Sequence, residues 1–452
     1  MALPFSFHNM WFISIFCFMY LFHIFNCYAV KYVVIHTFAW YISFYSFAGL
    51  NLYPSVSYLS GVPLAEFIVL IVLTCYSTFP LCSLYFFFNR ISLSYRYLFP
   101  VYVSALEMFR SEIFSWASVY YSQVDNYVIF LAEYFGGYVV SFLIVLIAVS
   151  VYSKFVKIIF LLVMPSIFLL SYIPKDIGDS EYDIRVSLVT TGNLNYFFND
   201  MINISIDELP FTDLIIWPEN SFLVNDEKNR MILNGLKSAA IDYGVEVIYT
   251  GFFKEGGYNF LRLQTLTDNQ KYDKTILVPF VESNLLGLPD RAYSLMPASN
   301  NINSIYIKGV KASPSICYEL LFSDYIRKNT DYNSSFLINT SNDYWLKGGK
   351  ISFQMLQIAR VRAVEVGKPL LRVTSNGYSA IIDKSGSLVS ISYDDDVRGG
   401  LKFSSKTTIY HRYGLLPFIF LAVFYILCFL FFNKKLISNN FIMNISTKNN
   451  IF

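Results

Sequence analysis

Charge is scarce in this chain. Of its 452 residues only 15% are Asp, Glu, Lys or Arg, 55% are hydrophobic, and the mean hydropathy is +0.45. Soluble domains carry about 25% charge, so an ordinary soluble protein is excluded. The formal net charge of +2 offers no basic excess for nucleic-acid binding, and no nucleic-acid partner is expected. Histidine is missing from Asp179 to Ile409, since His8, His23, His36 and His411 all lie outside it. That removes Ser-His-Asp, Cys-His and His-zinc chemistry from this stretch. Cysteine is equally sparse. Cys17, Cys27, Cys75, Cys82 and Cys428 sit in apolar runs, where they read as small buried hydrophobes. Cys317 is alone in the polar region and cannot form a disulfide within it, which is compatible with an oxidising compartment.

What charge there is lies unevenly. Of 66 charged residues, 13 precede Asp179, 50 lie from Asp179 to Tyr413, and 3 follow. Three parts are expected: an apolar helical bundle over 1–178, a soluble-like domain over 179–409, and a terminal apolar helix with a tail over 410–452. The bundle divides into six apolar stretches, at Trp11 to Val30, Tyr32 to Leu50, Leu64 to Phe88, Tyr97 to Phe109, Tyr127 to Tyr152 and Phe155 to Tyr172. A seventh runs from Gly414 to Phe432, and most are long enough to span a bilayer. The 19% aromatic content suits bilayer interfaces. The fourth stretch is short and carries Glu107 and Arg110, neighbours on one helix face that read best as a structural ion pair.

Basic residues set the orientation. Lys31, the pair Arg90 and Arg96, the pair Lys154 and Lys157, and Lys434 with Lys435 fall in alternate connections, which the positive-inside rule assigns to the cytoplasm. The N-terminus and the polar domain are then extracytoplasmic. No Lys or Arg precedes the first apolar stretch, so it reads as a retained helix rather than a signal peptide.

Between Ile184 and Phe403, β-rich runs alternate with helical ones. Strands are expected at Arg185 to Thr190, Leu214 to Trp217, Val245 to Phe252, Ser313 to Tyr318, Ser335 to Asn339, Leu370 to Thr374 and Ala380 to Asp383. Helices are expected at Arg230 to Tyr243 and Ser352 to Val366, the latter stopped by Gly367 and Pro369. The alternation argues for an α/β sandwich.

Three motifs at strand ends can carry chemistry. Leu214-Ile215-Ile216-Trp217-Pro218-Glu219-Asn220 delivers a carboxylate after a Pro-stiffened corner. Tyr272-Asp273-Lys274 is followed by Leu277-Val278-Pro279-Phe280 and Glu282. Ser315-Ile316-Cys317-Tyr318-Glu319 ends a strand on the region's single thiol. Without histidine, such a thiol needs a carboxylate as base and an ammonium as electrostatic stabiliser.

The order Glu, Lys, Cys resembles the nitrilase or carbon-nitrogen hydrolase superfamily, and with the apolar helices it is similar to the apolipoprotein N-acyltransferases, the membrane branch of that superfamily. The likeness continues through Ser341-Asn342-Asp343 and Trp345, through the run from Gln357 to Arg372, through Thr374-Ser375-Asn376-Gly377, and in the bundle through Glu107, Arg110 and Tyr121-Ser122-Gln123-Val124-Asp125. It implies an α-β-β-α sandwich on a polytopic helical membrane bundle, in the bacterial inner membrane. By position, Glu219 would be general base, Lys274 the oxyanion-stabilising cation and Cys317 the nucleophile, with Glu282, Tyr318 and Glu319 supporting the site. It implies a phospholipid acyl donor, a diacylglyceryl lipoprotein acceptor, a thioester intermediate, and neither metal nor organic cofactor. Ile276, Val281 and Lys347 depart from the family pattern, which often has His, Gly and Gly there; no partner for its mobile-loop Trp is evident near Phe197 to Asp200, and the bundle counts one helix short. A membrane amidase or acyltransferase with another acceptor, of the kind associated with conjugal transfer, and a non-catalytic membrane scaffold or transporter are the alternative readings.

Overall fold

The computed structural model describes residues 10–48, 65–91, 93–113, 116, 118–152, 182–190, 197–223, 227–255, 258–278, 282, 295–297, 304–344 and 349–448. The sixth apolar stretch, Phe155 to Tyr172, lies outside them, as do Trp345, Val281 and Lys347.

The apolar N-terminal sequence folds as helices α1 (Ile13–Cys27), α2 (Val30–Ala48), α3 (Ala65–Ile91) and α4 (Phe99–Ile113), then short α5 (Ala132–Phe135) and α6 (Tyr138–Ser150). Among the described residues one helix, over Phe67–Phe87, is long and apolar enough to cross a membrane; Ile13–Cys27, Tyr138–Ser150 and Leu416–Phe432 are shorter apolar helices. Two expectations need correction. The stretch Tyr127 to Tyr152 is not one helix: a 3-10 turn at Tyr127–Leu131 leads into α5, and the chain breaks at Gly136 with φ 78° before α6 begins. A Cβ at Gly136 would meet the Tyr410 ring at 2.6 Å, so the break allows a close approach only glycine permits. Glu107 and Arg110 also make no direct ion pair. Arg110 donates to the Trp116 carbonyl at 2.6 Å and the Ser118 hydroxyl at 3.1 Å, while Glu107 accepts the Val119 N–H at 2.8 Å. The two charges jointly pin the segment after α4, because its backbone donors and acceptors need partners in an apolar surrounding.

The polar region is a sandwich of two sheets. The first contains β1 (Ile184–Leu188), β2 (Leu214–Ile216), β3 (Phe222–Leu223), β4 (Glu246–Glu255), β5 (Tyr258–Thr265), β6 (Lys271–Asp273) and β13 (Val397–Leu401), in order β13-β1-β2-β4-β5-β6 with β3 against β4. The second contains β7 (Ile305–Ile307), β8 (Val310–Ile316), β9 (Phe336–Asn342), β10 (Leu370–Ser375), β11 (Tyr378–Ile382) and β12 (Leu388–Tyr393), in order β12-β11-β10-β9-β8-β7. β1, β2 and β4 run parallel, as do β8, β9 and β10.

Strand period decides which side chains face which layer. Leu214 and Ile216 point between the sheets and meet Phe336, Ile338, Leu371, Val373 and Ile381 from the other sheet. Ile215 and Val247 point the opposite way, into a core with Met201, Leu233 and Leu236, supplied by α7 (Phe197–Glu208) and α8 (Glu227–Tyr243). On the far face Leu337, Leu370, Ala380 and Ile382 pack with Ile326, Leu356 and Ala359, from α9 (Ser323–Asn329) and α10 (Gly349–Val366). The layers are therefore α-β-β-α. This outer core is continuous with Phe18, Phe22, Val140 and Phe142 of the N-terminal helices. After β13 the chain returns through α11 (Ile409–Tyr413) to the apolar α12 (Leu416–Lys448).

Candidate active site

The parallel strands of both sheets end on the same side, and ligand sites in open α/β sheets form at carboxyl ends. Each charged motif leaves its strand there. Trp217, fully buried with its indole N–H on the Ser205 hydroxyl at 2.9 Å, anchors the corner after β2. Glu219 follows it, its backbone N–H on the Ser341 carbonyl at 3.2 Å and its carboxylate accepting the Asn342 N–H at 3.0 Å. Lys274 follows β6, its N–H on the Leu261 carbonyl at 2.8 Å. The hairpin beneath it is held by Arg262, which reaches Asp273 at 2.5 Å and Glu255 at 2.5 Å.

Cys317 follows β8 at the start of a 3-10 turn, Cys317–Leu321, with φ 49°. A non-glycine residue held in the left-handed region is strained, and such strain concentrates at functional sites. One sheet supplies both the carboxylate and the ammonium, and the turn after β8 of the other sheet supplies the thiol.

The sequence-expected residues converge. Lys274 Nζ lies 3.3 Å from Glu219 Oε1 and 2.7 Å from Glu282 Oε1, all three side chains being buried or nearly so. Glu282 is fixed in turn by the Val278 N–H at 2.8 Å. The buried Cys317 thiol feels the charges of Glu219, Lys274 and Glu282 together. Tyr318, next to the thiol, stacks edge-on against Phe322 with ring centres 5.1 Å apart.

The electrostatics follow from burial. Burial raises the pKa of Glu219, which Lys274 opposes. For Lys274 burial works downward, but Glu219 and Glu282 outweigh it and the net shift is up. Burial first and the Glu219 charge second push the Cys317 thiol well above its usual value, against the pull of Lys274. Burial also pushes Tyr318 up to about 12. The resting cluster thus combines a neutral thiol, a carboxylate made more basic by burial, and a firmly charged ammonium.

Glu319 does something the sequence did not disclose. It is completely buried and accepts five hydrogen bonds: from Ile316 N–H at 2.7 Å, Thr275 N–H at 2.6 Å, Ile276 N–H at 3.2 Å, Tyr272 hydroxyl at 2.7 Å and Tyr325 hydroxyl at 3.2 Å. Burial raises its pKa, and these donors work against that rise. One carboxylate therefore ties the Lys274 loop to the Cys317 turn. Ile276 enters this brace through its backbone, so the role is indifferent to its side chain. Tyr325 carried no sequence signal, because it becomes relevant only through the fold; Tyr272 stood in the Lys274 motif without an assignable role.

Asp343 and Arg372 form a second buried support. They pair at 2.9 Å, and Arg372 also reaches Asn339 at 2.6 Å. Asp343 receives the hydroxyls of Ser341 at 2.9 Å and Ser352 at 2.6 Å, so the pair sits behind the Ser341–Asn342 segment that holds Glu219.

Comparison with known proteins gives the same organisation. The carbon-nitrogen hydrolase family matches residues 201–399, and the apolipoprotein N-acyltransferase N-terminal domain matches residues 1–150. An apolipoprotein N-acyltransferase of Wigglesworthia glossinidia brevipalpis is 29% identical, the match covering 88% of this chain and 86% of that one. One from Pasteurella multocida is 26% identical, covering 78% and 77%. Among solved structures, an amidase from Nesterenkonia sp. is 14% identical with a TM-score of 0.39, covering 50% of this chain and 93% of its own. With both its helical and its sandwich regions matched in their expected order, the chain belongs to the apolipoprotein N-acyltransferase family of the carbon-nitrogen hydrolase superfamily.

Proposed function

We propose that this enzyme transfers an acyl chain from a phospholipid to the α-amino group of the diacylglyceryl-cysteine of lipoproteins, through a thioester on Cys317. The observation that carries the reading is the convergence of Cys317, Glu219 and Lys274 in a buried cluster, in a sandwich whose outer core merges with apolar helices.

In the first half-reaction Glu219 takes the thiol proton as sulfur bonds to the ester carbonyl carbon. Lys274 and backbone amides stabilise the oxyanion, a contribution of about 3–4 kcal/mol per donor in comparable sites. Collapse breaks the ester C–O bond, and Glu219 returns the proton to the leaving lysophospholipid. In the second, the lipoprotein amine attacks the thioester, gives its proton to Glu219, and the C–S bond breaks to restore the thiol. Glu282 holds Lys274 in place, Glu319 holds the two loops together, and Tyr318 flanks the thiol. Neither metal nor organic cofactor enters any step. A water-poor setting favours transfer over hydrolysis.

The chain is placed in the bacterial inner membrane as a polytopic bundle over 1–178, with the 179–409 domain extracytoplasmic and a final helix within 410–452. Supporting this are the exposed aromatics of the apolar helices, Phe79 at 75% and Phe420 at 72%, which water would disfavour and lipid would cover. Reporter fusions that put the polar domain in the cytoplasm would refute the topology.

The deciding experiment starts with phospholipid alone. Intact-mass spectrometry should show one fatty acyl adduct on Cys317, removable by neutral hydroxylamine. A diacylglyceryl lipopeptide with a free amine should discharge it and be N-acylated, and an N-acetylated peptide should not. No loading, together with ammonia release from small amides, would refute the reading in favour of an amidase.

A further inference from the structure

The strained turn that presents Cys317 is gripped from the helical side of the molecule. Arg362, on α10, is completely buried. Its Nε donates to the Leu320 carbonyl at 3.0 Å and its Nη2 to the Leu321 carbonyl at 3.0 Å. These are the last two residues of the turn that Cys317 begins. The same Nη2 donates to the hydroxyl of Tyr121, in the N-terminal region, at 2.7 Å, and the guanidinium lies 5.6 Å from the Tyr121 ring centre. Nη1 is occupied by Glu365, whose other oxygen accepts the Gly137 N–H at 3.0 Å and which also takes the Ser323 hydroxyl at 2.7 Å.

We infer that Arg362 is a positioning residue for the Cys317 nucleophile, and that Tyr121 of the helical region holds it in register. Three facts converge on this. The positive φ of Cys317 persists only where surrounding contacts over-determine the turn. A planar guanidinium holds two adjacent carbonyls in a fixed fork while its other donors reach further groups, a geometry that the single rotatable ammonium of a lysine does not impose. The remaining donors of Arg362 go to groups outside the turn, so its position is set by the helical region and by Glu365 rather than by the turn itself. The consequence is that Cys317 reactivity depends on a hydroxyl of the N-terminal region that touches no reacting atom.

The inference concerns how the proposed thioester chemistry is positioned and rests on that reading for its kinetic arm, while a second arm needs only the protein. Full-length Tyr121→Phe keeps the ring and removes the hydroxyl; Arg362→Lys keeps the charge and loses the double carbonyl grip. Lys406→Ala is the control, because the Lys406–Glu133 pair at 2.5 Å also joins the two regions without reaching the turn. Alkylation of Cys317 by iodoacetamide, followed at its own peptide by mass spectrometry, and acyl loading from phospholipid are measured beside thermal unfolding in detergent.

Tyr121→Phe is expected to slow both alkylation and the loading kcat about 10-fold, and Arg362→Lys about 100-fold, the scale at which a 1 Å misplacement acts. The KM for phospholipid should stay unchanged, the melting temperature of Tyr121→Phe should fall only slightly for the buried hydroxyl contacts it loses, and the control should match wild type throughout. A lowered melting temperature with unaltered alkylation and kcat would assign Arg362 a structural role and overturn the inference, as would an equal kinetic loss in the control. If wild type alkylates normally but never loads, the acyl-transfer reading fails, and the alkylation series alone decides the positioning role.

Discussion

Replacing Glu319 with Gln tests whether a single carboxylate couples the two halves of the site. The side chains are nearly isosteric, so packing is preserved and only hydrogen-bond polarity changes. Oε2 of Glu319 faces the Ile316 N–H and Oε1 faces those of Thr275 and Ile276, so either orientation of a Gln amide turns its NH2 toward a backbone donor. In the milder orientation the NH2 faces Ile316, and the Tyr272 hydroxyl can rotate to accept. One buried N–H is then left unpaired, at about 1–3 kcal/mol, and the bonds to Thr275, Ile276 and Tyr325 lose the advantage of a charged acceptor, which separates about 1.5–3 from about 1 kcal/mol each. The total is about 2.5–9 kcal/mol, concentrated on the contact between the Lys274 loop and the Cys317 turn. At 1.36 kcal/mol per tenfold, loading of Cys317 from phospholipid should fall at least about 100-fold, with the secondary structure and the size-exclusion profile in detergent retained. Tyr272→Phe and Tyr325→Phe each remove one hydroxyl and should cost roughly 5-fold. A Gln variant that loads at more than a tenth of the wild-type rate would refute the bracing role.

Other outcomes follow from the same geometry. Because burial raises the pKa of Glu219, its basic form is lost as pH falls through a value above the ordinary 4.5; the acid limb of kcat/KM for loading should lie above 4.5, and a limb at or below it contradicts the assignment. Burial and the Glu219 charge keep the Cys317 thiol neutral, so wild type and Cys317→Ser should show no difference in thiolate absorbance near 240 nm at pH 7; a clear band would refute this. Lys274→Met leaves Glu219 and Glu282 buried without their counter-charge and should destabilise by about 3–5 kcal/mol. The double variant with Glu282→Gln should regain part of that stability in chemical unfolding while remaining inactive; no recovery would contradict the charge balance. The raised pKa of Lys274 means its ion-pair stability is fully present below the ordinary lysine value and lost only as pH climbs through the folded value, so wild-type melting should show no Lys274-dependent loss from pH 6 to 9.

Legibility in the sequence tracked how local each feature is. Glu219 and Cys317 were legible because each follows a strand readable within one segment, and Lys274 because the Tyr272-Asp273-Lys274 motif falls between them in chain order; the fold brings Lys274 beside Glu219. The hairpin partner β5 and the pair β12 and β13 were not. β5 carries Tyr258, Asn259, Arg262 and Gln264 among its apolar residues, and its identity as a strand comes from pairing with β4 over eight register positions. β12 has exposed Val389, Ile391 and Tyr393 alternating with half-buried residues, so its periodicity does not point to a single buried face. The run Gln357 to Arg372 read as one motif but divides by helical face. Arg360 reaches Asp125 at 2.7 Å, Arg362 reaches Tyr121, and Glu365 takes Gly137, so its charges fasten the sandwich to the N-terminal helices. Spacing alone cannot reveal such partners, which lie more than 200 residues away.

The two carboxylates around Lys274 explain how a site without histidine can relocate a proton in a buried setting. In the proposed resting state the Glu219 carboxylate and the Lys274 ammonium form an ion pair beside a neutral thiol. When the proposed tetrahedral intermediate forms, Glu219 has become neutral and the new oxyanion carries the charge it gave up, so the net charge is the same. No charge is created in the buried cluster; it moves from one side of Lys274 to the other, and the large penalty for introducing an uncompensated buried ion is avoided. Such a transfer works only if the ammonium stays in place when Glu219 weakens its hold. Glu282, the closer partner at 2.7 Å and itself fixed by the Val278 N–H, provides that constant anchor. In the proposed mechanism Glu219 moves the proton while Glu282 keeps its contact with the ammonium, which gives the two acidic residues different tasks despite their shared contact with one lysine.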